Sequence, residues 1–242
     1  MVRLAVGDDR SRVHAVTLQT LIQDSRAILL DFDGPVCYLF ARLPAPDVAQ
    51  KLRDFLRGQG VALPSSVTSE KNPLNLLTWT DQEAAHLLAD IERLQTDAEI
   101  EAARLADPTP GVTEILQSAE ALGKPVVVVT NNSAEAVDAF LKRHSLSAFI
   151  AGVASRVSGK PYLMKPDPHL VLQGAERAGH PPSACLLIGD SPTDIEAAKK
   201  AGTRSIGYAK RLPRVTELAE AGADVVVESM QAIADAMATP GP

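Results

Sequence analysis

The stretch Ala27-Ile28-Leu29-Leu30-Asp31-Phe32-Asp33-Gly34 decides the fold. Its apolar residues follow one another without alternation, the pattern of a strand covered by helices on both faces of a parallel sheet. The run ends in two carboxylates and a glycine, so polar groups are delivered where the strand stops. Working outward, Ala27–Phe32, Pro125–Thr130, Phe149–Ser155, Ala184–Gly189, Arg204–Tyr208 and Asp224–Val227 are all predicted strands. Between them the apolar spacing is helical: Val112–Leu122, with Ile115, Leu116, Ala119 and Leu122 on one face, then Ala134–His144, Pro168–Ala178, Ile195–Ala201 and Val215–Ala221. Gly179, Gly202 and Gly222 suit the left-handed position that closes a helix. This alternation predicts an α/β fold, a Rossmann-like doubly wound parallel sheet with right-handed crossovers.

Residues 41–107 break the rhythm and contain no convincing strand. Val48–Leu56 is helical. Thr80-Asp81-Gln82-Glu83 reads as a capping box, and Ala84, Leu87, Leu88, Ile91, Leu94, Ala98 and Leu105 follow it at helical spacing. The expectation is an inserted α-helical cap domain over residues 41–105, a lid that opens for exchange and closes to exclude water. Residues 26–40 and 106–242 would then form one discontinuous core. Residues 1–25 are an N-terminal extension with one short helix over His14–Gln23, and the tail Thr239-Pro240-Gly241-Pro242 is expected to fray. Trp79, with Leu76 and Leu77, either packs the lid or faces a substrate.

Composition narrows the function. The 242 residues carry a formal net charge of −6 and only 5 Phe, 3 Tyr and 1 Trp. That excludes a general nucleic-acid binder, which needs a basic surface and stacking platforms. No run reaches the ~18 apolar residues of a membrane helix, and the N-terminus has no apolar signal core. Cys37 and Cys185 sit beside apolar runs and read as reduced packing thiols, so the expected location is cytoplasmic, as a monomer or homodimer. His14, His86, His144, His169 and His180 show no ligand spacing.

In open α/β sheets the ligand lies at the carboxyl ends of the strands. Four polar clusters fall there: Asp31-Phe32-Asp33-Gly34, Thr130-Asn131-Asn132, Lys165-Pro166-Asp167-Pro168 and Gly189-Asp190-Ser191-Pro192-Thr193-Asp194. Asp31 and Asp190 are hard oxygen ligands suited to Mg²⁺, and Asp194 can hold its waters. The Thr130 hydroxyl can donate to a phosphate oxygen, and Lys165 balances phosphate and carboxylate charge. Asn131-Asn132-Ser133 equally suits a helix N-cap, a role that coexists with phosphate binding. Of two paired carboxylates, one can act as nucleophile and the other as proton shuttle. Lys160-Pro161 competes with Lys165-Pro166, and Lys165 is preferred because Pro168 then opens a helix at its first position. Arg156, Lys160, Lys210 and Arg211 are loop cations that either steer a phosphate or lie on a solvated face.

Together these residues resemble the four motifs of the haloacid dehalogenase-like (HAD) superfamily, phosphatase branch, in the style of its phosphoglycolate-phosphatase-like and β-phosphoglucomutase-like members. The insertion matches the C1-cap position. Pro110-Gly111-Val112 and the run Asp194-Ile195-x-Ala197-Ala198-x-x-Ala201-Gly202 follow the same pattern. The resemblance implies that Asp31 is nucleophile and metal ligand, and that Asp33 is general acid/base with its backbone carbonyl on the metal. It further implies that Thr130, Asn131 and Lys165 hold the phosphoryl group, that Asp190 ligates Mg²⁺, and that Asp194 supports it through water or through Lys165. The implied substrate is a small phosphorylated metabolite. Pro35 departs from the Thr or Val usual at that position and stiffens the entrance to the lid. A phosphomutase and a non-catalytic phosphometabolite-binding or regulatory module are the alternatives.

Overall fold

A computed structural model of the chain describes residues 3–4 and 17–239. Seven strands form one sheet: β1 (Arg3–Leu4), β2 (Ala27–Leu30), β3 (Val126–Val129), β4 (Ile150–Ala154), β5 (Cys185–Gly189), β6 (Arg204–Tyr208) and β7 (Val225–Val227), in the order β1-β7-β6-β5-β2-β3-β4. β2 to β7 are parallel, and β1 pairs with β7 antiparallel. The edge pair formed by Arg3 and Leu4 is not foreseen by the sequence pattern. His14, part of the predicted first helix and the residues beyond Thr239 lie outside the described residues.

The period of 2 along a strand divides the core in two. Ile28 and Leu30 pack with Val126, Val128, Leu186 and Ile188 on one face. Ala27 and Leu29 pack with Val127, Val129, Cys185 and Leu187 on the other. The first face is covered by α1 (Leu18–Asp24), α6 (Val112–Ala121), α7 (Ala134–Arg143) and α11 (Met230–Ala238). The second is covered by α8 (His169–Arg177) and α9 (Pro192–Ala201). Both faces being buried is why the strands read as unbroken apolar runs. α10 (Leu212–Ala221) contributes Leu218 to a smaller cluster with Ile195, Ala209 and Val226. Gly179, Gly202 and Gly222 all take positive φ.

The insertion after β2 is helical throughout: α2 (Ala45–Gly58), α3 (Ser65–Thr68), α4 (Pro73–Glu83), a single 3₁₀ turn (Ala85–Leu87) and α5 (Leu88–Leu105). It has its own cluster of Ala49, Leu52, Leu56, Leu76, Leu77 and Ile91, with Trp79 packed against it. The predicted capping box at Thr80 is a misreading. Thr80 lies inside α4, and its hydroxyl donates to the Leu76 carbonyl at 2.7 Å. The true start is Asn72, whose side chain accepts from Leu74 N, with Pro73 in the first turn. α4 ends at Ala84, which leaves helical conformation at φ −147°. Likewise Pro168 is the N-cap of α8 rather than its first residue.

Candidate active site

The chain runs β2, β3, β4 outward from the centre, then returns to lay β5 on the other side of β2. That reversal opens a crevice at the carboxyl end of β2. Asp31 follows β2 there, and its amide donates to the Ile188 carbonyl of β5 at 2.9 Å. Gly34, at φ +124°, turns the chain after Asp33. A Cβ on Gly34 would stand 2.5 Å from the Asp190 carboxyl carbon, so glycine lets that carboxylate lie against the turn. The returning chain braces the turn: the Thr109 hydroxyl donates to the Gly34 carbonyl at 2.7 Å.

Lys165 is buried and its ammonium is fully engaged. Nζ lies 2.7 Å from Asp31 Oδ1, 2.5 Å from Asp194 Oδ1 and 2.9 Å from the Val129 carbonyl. Asp194 Oδ2 accepts from Ser191 N, and Ser191 Oγ accepts at the start of α9, so Asp194 closes a capping box while holding Lys165. Among the described residues Asp31 Oδ2 and the Asp190 carboxylate make no hydrogen bond. Asp33 Oδ1 accepts from Leu39 N at 2.9 Å.

The electrostatics follow from burial and charge count. Burial, then the Asp194 carboxylate, push Asp31 well above the usual carboxylate range against the pull of Lys165. Burial and Asp194 raise Asp190 to about 7. Burial raises Asp33 to about 6, with the Leu39 N–H opposing. Burial alone would depress Lys165, but Asp194 and Asp31 outweigh it and hold the ammonium charged.

Asp31, Asp190 and Asp194 each present one oxygen, all within 4.8 Å of one another. Three buried or half-buried carboxylates with one lysine among them form a donor set short of positive charge, and burial raises Asp31 and Asp190 accordingly. Hard oxygen donors in that state fit a divalent cation.

Thr130 is fully buried and lines the floor of the cleft. Its hydroxyl donates to Asn132 Oδ1 and accepts from Asn132 N. Asn131 clamps the main chain of Lys165, with Oδ1 accepting from Lys165 N at 2.8 Å and Nδ2 donating to Lys165 O at 3.1 Å. The Asn131 side chain thus positions Lys165, which sequence reasoning did not foresee. Above the carboxylates opens a cleft of about 700 Å³, bounded by Glu70–Leu74 of the insertion and by Phe40, Ser191, Arg211 and Arg214. Lys160 does not line it. Lys210 lies over the Tyr38 ring. Arg156 is neither a steering cation nor solvated: it is buried against Glu99. Cys37 and Cys185 are buried packing residues, and among the described residues no histidine lines the cleft.

Sequence reasoning missed Glu99 and Glu92 on α5. Glu92 accepts from the Ser158 hydroxyl and Gly159 N. The available signal was a polar face, Glu92, Gln95 and Glu99, recurring at helical spacing beside the alanines that enter the core.

Fold and site together define a Rossmann-like α/β protein with an acidic, lysine-balanced cleft beneath a helical insertion. Residues 25–202 match the family described as haloacid dehalogenase-like hydrolase, and the chain belongs to it. Among its relatives, phosphoglycolate phosphatase of Escherichia coli (strain K12) is 31% identical over 133 residues, covering 54% of this chain and 51% of that protein. The chain thus spans about half the length of that relative. Phosphoglycolate phosphatase of Synechococcus elongatus is 28% identical over 183 residues, covering 73% of this chain and 80% of the relative. The crystal structure of CbbY from Rhodobacter sphaeroides in complex with phosphate superimposes with a TM-score of 0.62 at 22% identity, covering 87% of this chain and 99% of that one. No helix among the described residues is long and apolar enough to cross a membrane.

Proposed function

We propose that the protein is a Mg²⁺-dependent phosphatase that hydrolyses a small phosphomonoester through an aspartyl-phosphate on Asp31. The observation that carries this reading is the Lys165 ammonium, held between Asp31 and Asp194 at the floor of the cleft, while among the described residues Asp31 Oδ2 makes no hydrogen bond. Asp31 attacks phosphorus, the ester P–O bond breaks, and the leaving oxygen takes the proton of Asp33. Asp33, now ionised, takes a proton from water, whose oxygen attacks the acyl phosphate. Phosphate departs and the Asp31 carboxylate is restored. A group titrating near 6 suits both halves of that exchange. The Lys165 N–H that holds Asp31 passes to a phosphoryl oxygen as Asp31 loses its charge, and the Thr130 hydroxyl donates to another. Asp31, Asp190 and the backbone carbonyl of Asp33 would hold Mg²⁺, with Asp194 behind, and the cation would neutralise charge on the phosphoryl oxygens.

The helices over residues 41–105 act as the cap that covers this chemistry. The cleft edge carries Lys71, Arg211 and Arg214. Among the described residues neither Lys71 nor Arg211 forms a salt bridge. That favours a substrate with a second anionic group. The name of the curated relatives makes 2-phosphoglycolate the first compound to test.

The test is phosphate release from a panel of phosphorylated metabolites, with Mg²⁺ and then with a chelator. Asp31→Asn should lower turnover by on the order of 10³ or more. Undiminished turnover in that variant would overturn the nucleophile. Sugar-phosphate isomerisation without net phosphate release would show a mutase instead.

A further inference from the structure

The phosphate-facing loop is held from behind by a buried ion pair that the proposed reaction does not use. Glu99, on the last helix of the insertion, and Arg156, on the loop after β4, meet through two bonds: Nη1–Oε1 at 2.9 Å and Nη2–Oε2 at 3.2 Å. Both side chains are at least nine-tenths buried, at 0% and 4% exposure. Glu99 also accepts from Gln95 Nε2 at 2.8 Å, Asn132 Nδ2 at 3.1 Å and Ser133 N at 2.8 Å. Arg156 Nη1 donates to the Asn131 carbonyl, and its main-chain N–H donates to the Asn132 carbonyl. The pair therefore bonds to each of the three residues that follow Thr130.

The chemistry of the acceptor sets the direction of the relay. An ionised carboxylate only accepts, so Glu99 fixes the Asn132 amide with its NH₂ inward and its oxygen toward Thr130. The Thr130 oxygen is then pinned by Asn132 N–H, and its proton points along one line, to Asn132 Oδ1. A phosphate oxygen competes for that proton alone while the hydroxyl oxygen stays in place. Through Asn131, whose carbonyl Arg156 holds, the same unit fixes the Lys165 main chain.

Resting on the phosphatase reading of the site, we infer that Glu99, with Arg156, is a positioning residue for phosphate binding, acting through Asn132 on Thr130. It makes the last helix of the insertion part of the phosphate site without touching the phosphate.

The test uses the full chain with Mg²⁺, inorganic phosphate binding by calorimetry, and p-nitrophenyl phosphate turnover. Glu99→Gln should weaken phosphate about tenfold and raise KM similarly, with kcat changed much less, since ground-state and transition-state binding are lost together. In a Thr130→Val background the same substitution should have a clearly smaller effect, because only the branch through Asn131 to Lys165 is then left. A purely structural role predicts a lower melting temperature with phosphate affinity and KM unchanged, and that result overturns the inference. An effect of full size in the Thr130→Val background overturns it as well. Should Glu99→Gln not fold, Asn132→Ala leaves the ion pair in place and must show the same loss, and wild-type affinity there is decisive against it. A wild-type protein that binds phosphate but cleaves no ester overturns the catalytic reading alone. A wild-type protein that binds no phosphate overturns both.

Discussion

Lys165 is surrounded by more negative charge than it can balance, and two residue-scale predictions follow from that shortage. Asp190 is raised to about 7 and Asp31 is raised well above its usual range, burial being the largest cause in each. A group with a raised pKa keeps its proton up to that pKa, so a cation must expel it to bind. Mg²⁺ affinity should therefore fall as pH drops below about 7, by about tenfold per pH unit for each proton released. The part of this dependence that belongs to Asp190 should level off above that point. Calorimetric titration across this range in buffers of different ionisation enthalpy reads both the affinity and the protons, and a flat profile with no proton release refutes the cation site. Gly34→Ala attacks the same shortage sterically. Its Cβ would stand 2.5 Å from the Asp190 carboxyl carbon, at a φ of +124° that disfavours any side chain. The variant should lose on the order of 1–3 kcal/mol of stability. It should also bind Mg²⁺ more weakly than wild type, measured by urea denaturation and metal titration on the same sample.

Elements place these residues, and the start of α9 does so with its own cap. Ser191 accepts from Thr193 N while Asp194 reaches back to Ser191 N. Ser191→Ala should cost about 1 kcal/mol. It should also lower activity, because Asp194 is both cap and partner of Lys165; chemical denaturation beside kcat/KM checks the coupling. The body of this helix was legible from the apolar spacing over Ile195–Ala201, but its start at Pro192, with Ser191 and Asp194 closing the cap, lies three residues earlier than that spacing predicts. The strands were legible for a similar reason, since a run buried on both faces needs no partner to be recognised. Thr80 shows the limit. A threonine hydroxyl bonds a carbonyl one turn back as readily as it caps, and only the chain's path decides which. Glu99 shows a deeper limit. Its partner lies 57 residues away, so a buried acceptor of five hydrogen bonds looks like one more charge on an amphipathic helix. Burial pushes the Glu99 carboxyl up, but Arg156 and the surrounding donors bring it below the usual range. Its stabilisation is therefore fully present above about 4.5 and is lost as pH falls through the depressed folded value. Glu99→Gln should be less stable than wild type by about 3–5 kcal/mol near neutrality, and the gap in urea midpoint should narrow in acid.

At the scale of the whole molecule, α5 belongs to two cores at once, which constrains how the cleft can close. Its first half supplies Ile91 to the insertion cluster. Its second half supplies Ala102 and Ala103 to the cluster on the sheet. Glu92 and Glu99 tie the same helix to the loop after β4. A lid swinging as one body would have to break those buried bonds, whereas α2, α3 and α4 are joined to the sheet by none of them. Closure is then expected to move α2 to α4 over the cleft about the non-helical Ala84 and the segment leading into α2, with α5 fixed. The consequence is a local stability difference inside a single insertion. Leu77 is fully buried and belongs to the insertion cluster rather than to either sheet cluster. Leu77→Ala should cost about 2–5 kcal/mol locally. In hydrogen exchange it should speed amides of α2 and α4 while those of β2, β3, β5 and the second half of α5 keep their wild-type rates. Inorganic phosphate affinity should hold, because Thr130, Lys165 and the Glu99–Arg156 pair stay in place, while KM for a full substrate rises as the cleft edge at Glu70–Leu74 loosens. Uniform acceleration across α5 and the sheet would show that insertion and core open together and that closure must be sought elsewhere.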